Sequence, residues 1–103
     1  KYNKLNHIYK PSIKINDLTK MINKNIYSNR EEFLSIYSLL YIYMQRDFGD
    51  NISKKIAEKT KYKESYVKNL TKECFSKKYM KNSNKGLAGG ILTNKALKAL
   101  SHL

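Results

Sequence analysis

The chain of 103 residues has no tryptophan, one cysteine and one proline. The lone thiol, Cys74, cannot form a disulfide within the chain, and it suits a reducing, cytoplasmic setting. Its neighbours at helical spacing are apolar, which marks it as a core residue and not a reactive or metal-binding thiol. The two histidines, His7 and His102, lie near opposite ends, so no Cys/His cluster has the ligand spacing of a zinc site. No metal and no cofactor are expected. No apolar run reaches the roughly 18 residues that a membrane span needs, and no signal-peptide pattern is visible. Catalytic groups are equally sparse. There is no paired-carboxylate arrangement, no Ser/His/Asp set and no acidic cluster of the kind a metal-dependent nuclease needs. Gly86, Gly89 and Gly90 lack the strand-to-helix context of a phosphate-cradling loop. An enzyme is therefore not expected. Carboxylates number eight against 21 Lys+Arg, for a net charge of +13. That imbalance favours an anionic partner, nucleic acid first and an anionic membrane surface second.

What is present suffices for one folded domain. Hydrophobic residues make up 41% of the chain, and Ile, Leu, Tyr and Phe supply the core. Pro11 divides a mixed start, after which Ser12–Ile15 alternates like a short strand. Asn16 or Asp17 can cap a helix carrying Leu18, Met21, Ile22 and Ile26, ending near Asn25. Ser28-Asn29-Arg30-Glu31 has the form of a capping box and opens a helix running to about Asp47. Its body is apolar nearly all round: Phe33, Leu34, Ile36, Tyr37, Leu40, Ile42, Tyr43 and Met44 cannot share one side. Such a helix is buried on two sides. The spare side calls for the N-terminal segment, a second subunit or both, so a homodimer through residues 1–45 is expected. Gly49 suits a C-cap, and Asp50 or Asn51 a following N-cap.

From Asn51 to Met80 the chain reads as two short amphipathic helices. Ile52, Ile56 and Ala57 form one apolar face, Thr60–Lys63 breaks the pattern, and Val67, Leu70 and Cys74 form the second face, flanked by Phe75. Two helices joined by so short a turn make a helix-turn-helix. Keeping Val67, Leu70 and Cys74 inward sends Ser65, Lys68, Asn69 and Lys72 outward, with Lys63, Glu64 and Tyr66 at the leading end. These residue types bind phosphates and base edges. Tyr66 can touch a phosphate or a thymine methyl, or bridge the turn as a partly buried ring. Charge follows the same division: residues 51–85 hold eleven Lys against three Glu, whereas residues 31–50 hold one Arg against four acidic groups.

These residues carry a resemblance. Ile56-Ala57-Glu58-x-Thr60, followed by Glu64-Ser65-Tyr66-Val67-Lys68-Asn69-Leu70, is similar to the helix-turn-helix core of bacterial winged-helix DNA-binding proteins. Lys77-Lys78-Tyr79-Met80 stands where such proteins often have a basic residue, Gly and two apolar residues. Gly86–Thr93 resembles the wing and its return strand, and Thr93-Asn94-Lys95-Ala96-Leu97 the start of the helix after it. Lys61 and Lys78 occupy positions where the pattern often has Gly. The resemblance covers roughly the last half of the chain. It implies a mostly α fold: a winged helix-turn-helix with a small β-wing at residues 30–103, preceded by a strand-and-helix extension at residues 1–29. It also implies double-stranded DNA as partner, wing contacts from Lys81 and Lys85, and work as a bacterial, plasmid or phage transcriptional regulator. A plasmid replication or partition protein, or a winged helix used for protein contact, is the alternative.

Overall fold

A computed structural model of the chain describes residues 14–82 and 90–101. These form five helices and a two-stranded sheet in the order α1 (Ile15–Asn23), α2 (Arg30–Phe48), α3 (Ile52–Lys59), α4 (Glu64–Ser76), β1 (Met80–Asn82), β2 (Gly90–Leu92) and α5 (Asn94–Ala99).

Helix α1 begins earlier than its sequence suggests. Ile15 is its first residue, so the expected strand at Ser12–Ile15 fails there; Ser12 and Ile13 lie outside the described residues. The N-cap is Lys14, whose amide donates to the Asp17 carboxylate at 3.0 Å. Asp17 thus serves the helix start by reaching back from the first turn and does not occupy the cap. Leu18 and Ile22, four residues apart and on one face, are fully buried. The helix closes with Asn25 in the left-handed region at φ 56°, and the Ile26 amide donates back to the Met21 carbonyl at 2.8 Å. This is the Schellman arrangement with Asn where Gly is usual.

The capping box of α2 lies one residue later than Ser28-x-x-Glu31. Asn29 is the N-cap, its side-chain oxygen accepting the Glu32 amide at 2.9 Å, while the Glu32 carboxylate accepts the Ser28 amide. Every residue from Glu32 to Leu40 is buried. The helix can be apolar all round because α1, α3, α4, α5 and β2 each pack on it. Ser35 and Ser38 are satisfied within this core by donating to the carbonyls of Glu31 and Leu34, each at 2.8 Å. Gly49, at φ 84°, ends the helix as expected.

Helix α3 starts at Ile52 after Asn51, which sits in the left-handed region at φ 53° and makes no side-chain cap bond. Asn51 thus holds the cap position expected of Asp50 or Asn51 without the side-chain bond, and Asp50 receives the Lys55 ammonium on its carbonyl at 3.0 Å. Helix α4 closes like α1, with Lys78 at φ 68° and the Tyr79 amide donating to the Cys74 carbonyl at 2.9 Å. The chain then enters β1, which pairs antiparallel with β2 in the register Met80–Leu92, Lys81–Ile91 and Asn82–Gly90. Thr93 ties the sheet to α5: its hydroxyl donates to the Lys78 carbonyl and accepts the Ala96 amide at 3.3 Å, forming the expected cap. Ala96 and Leu100 complete the core beside α2.

Candidate nucleic-acid interface

Helices α3 and α4 are joined by the four residues Thr60–Lys63. Ile52 and Ile56 of α3 and Val67, Leu70 and Cys74 of α4 are buried in the common core. Fixing that face of α4 sends the opposite face outward, since side chains three and four residues apart share a side. Glu64, Ser65, Tyr66, Lys68, Asn69 and Lys72 are all exposed, as is Lys63 at the N-cap. Lys81 is exposed on β1, the strand that packs beside α4. Lys85 lies outside the described residues.

The exposed face is not uniformly cationic. Glu64 pairs with Lys68 across one helical turn at 3.6 Å, a surface pair that costs little to open. Lys63, Lys72 and Lys81 have no ion pair among the described residues. Lys63 offers no side-chain acceptor as N-cap, so the first amides of α4 point outward without a side-chain partner.

The orientation of α4 is fixed from behind. The buried Tyr37 hydroxyl of α2 donates to the Val67 carbonyl at 3.2 Å and shares a hydrogen bond with the Thr71 hydroxyl. Burial pushes the Tyr37 phenol up, so it stays neutral and keeps these bonds. Cys74 is buried against the Leu34 carbonyl, and burial pushes its thiol up to about 11. A thiol in that state is a packing group, as its apolar neighbours indicated. Glu73 accepts from Lys77 at 2.9 Å and from Arg30 at 2.7 Å, and these two hydrogen bonds, Lys77 first, hold its carboxyl below the usual range.

Three contributors escaped the sequence reading. Asn23, the last residue of α1, clamps the turn between α3 and α4: its amide nitrogen donates to the Lys59 carbonyl at 3.1 Å and its oxygen accepts the Lys61 amide at 2.9 Å. Arg30 reaches α4 through Glu73. Tyr62, in the turn, lies with its ring 4.7 Å from that of Tyr66. The last contact is the bridging of the turn considered for Tyr66, whose residue nevertheless remains 37% exposed. The Asn23 and Arg30 contacts cross 36 to 43 positions of sequence, a span on which helical periodicity carries no information.

Among the described residues no three His, Cys, Asp or Glu side chains are grouped to hold a metal ion, and no helix is long and apolar enough to cross a membrane. No family model matches the chain, and no similar curated protein or solved structure is found.

Proposed function

We propose that this chain is a winged helix-turn-helix protein that binds double-stranded DNA sequence-specifically, as a bacterial, plasmid or phage transcriptional regulator. One observation carries the reading. The second helix of a short-turn helix pair buries only Val67, Leu70 and Cys74 and exposes Ser65, Lys68, Asn69 and Lys72 along the opposite face. In this motif the second helix enters the major groove with its N-terminal part. The pairing of β1 with β2 beside α4 supports a wing that places Lys81, and Lys85 beyond it, against backbone phosphate. Asn69 is the base-reading group, since an Asn amide can pair with both N6 and N7 of adenine. Lys72, a turn further on, meets phosphate.

Selection of bound duplexes from random DNA tests this. A consensus is expected. On the selected site Asn69→Ala should cost about 1–3 kcal/mol and relax the preference at one position, whereas Lys72→Ala should weaken all sequences alike. If no duplex is enriched over scrambled DNA, sequence-specific binding is wrong, and the protein-contact use of the same fold takes its place.

A further inference from the structure

We infer that Tyr66 is a specificity-determining residue, reading a thymine methyl group with its ring edge, and that Tyr62 positions it. The inference rests on the DNA-binding reading above and adds to it a named base group and a named reader.

Tyr66 is the third residue of α4, in the turn that would lead into the groove. An exposed Tyr on a helix ordinarily samples several rotamers. Here one side of the ring is occupied. Tyr62 lies against it at 4.7 Å with an interplanar angle of 48°. Tyr62 is itself backed by Phe33, edge-on at 6.3 Å and 74°, and Phe33 is buried in α2. Phe33 is held in turn, with the Arg30 guanidinium 5.3 Å over its ring and donating to Glu73 at 2.7 Å.

With one ring face on Tyr62, Tyr66 offers the groove a ring edge of C–H groups beside its hydroxyl. That edge cannot hydrogen-bond a phosphate oxygen strongly, but it can pack on a methyl group. In the major groove only thymine presents one. A Tyr held in place has little conformational entropy left to lose on binding, which is how rigid aromatic groups become strong contacts. Asn69 lies three residues on, on the same side of α4, so the two side chains address neighbouring positions. An adenine read by Asn69 beside a thymine read by Tyr66 places an A·T-containing step at the centre of the contact.

The test uses the selected duplex with single thymines replaced by deoxyuridine, which deletes only the C5 methyl. The wild-type chain should lose about fourfold in affinity at one thymine, the value of one methyl group removed from apolar contact. Tyr66→Ala and Tyr62→Ala should bind the two duplexes equally. Tyr62→Phe, which keeps the ring, should discriminate as the wild type does. The discrimination ratio is unaffected by a loss of folded protein. If a consensus is selected but no thymine-to-uracil change alters wild-type affinity, or if Tyr66→Ala discriminates as well as wild type, the inference is wrong while DNA binding stands. If no consensus emerges, the DNA-binding reading fails and takes this one with it.

Discussion

Lys78 follows the C-cap of α4 at φ 68°, a region that costs a residue with a Cβ roughly 1–2 kcal/mol. Its side chain is exposed, and its conformation is imposed by the Tyr79 amide returning to the Cys74 carbonyl. Lys78→Gly relieves the backbone and should raise stability by about 0.5–1 kcal/mol after the larger entropy of the unfolded Gly chain is subtracted. Lys61, the other lysine at a position where the resemblance favours Gly, behaves differently. It is not among the residues of positive φ, its amide is bonded to Asn23, and its ammonium donates to Asn25 at 2.7 Å. Lys61→Gly should therefore lower stability. Thermal denaturation of the two variants checks the contrast, and equal shifts would show that the turn after α4 is not strained. The same pair shows what a residue-level reading could reach: both lysines were visible as departures from a pattern, but only backbone geometry separates the strained one from the bonded one.

At the level of elements, the clamp on the turn between α3 and α4 comes from α1. Asn23 satisfies one carbonyl and one amide of that turn, and these bonds compete with water because the site is exposed. Each is worth about 0.5–1.5 kcal/mol. Asn23→Ala should cost about 1–2 kcal/mol in chemical denaturation and speed hydrogen exchange at the Lys61 amide. Asn23→Asp keeps the acceptor for Lys61 but loses the donor to Lys59, and should fall between. If Asn23→Ala leaves Lys61 exchange unchanged, the clamp does not order the turn. Elements whose burial repeats with helical period were legible beforehand: α2, α3 and α4 fall where their apolar residues placed them, and Thr93 caps α5. Helix starts were legible only to within a residue or more, because Ser28 and Asn29 can both cap, and because Asp17 assists a cap from inside the helix as well as from the cap position. Two apolar residues at alternate positions, Ile13 and Ile15, were too few to separate strand from helix. The clamp itself left no local signal, since Asn23 reads as one more polar residue near a helix end.

For the whole molecule, the distribution of charge and apolar surface sets the stoichiometry and the salt response. A homodimer was expected because α2 carries more apolar surface than one partner covers. Within the described residues that surface is covered by α1, α3, α4, α5 and β2 of the same chain. Among the described residues the large apolar side chains left exposed are Ile26, Phe48, Tyr66 and Ile91, far apart in the sequence. Sedimentation of the free protein tests the homodimer expected through residues 1–45, and a chain of 12.1 kDa that stays monomeric at micromolar and higher concentration would overturn it. On the proposed DNA-binding reading, the number of bound chains follows from salt dependence. Lys63, Lys68, Lys72 and Lys81 are the exposed cations of α4, its cap and β1. Four lysines elsewhere are occupied: Lys55 by Asp50, Lys61 by Asn25, Lys77 by Glu73, and Lys95 by the Lys77 carbonyl and the Tyr79 ring. If these four cations each neutralise one phosphate, with Lys68 leaving Glu64, log affinity should fall with log salt at a slope of about −3.6, since each phosphate contributes about 0.9. Adding Lys85 steepens the slope by about 0.9, and two chains on one site double it. Lys72→Ala should lower its magnitude by about 1. A slope shallower than about −1, or one that Lys72→Ala leaves unchanged, would mean that DNA does not meet this face of α4.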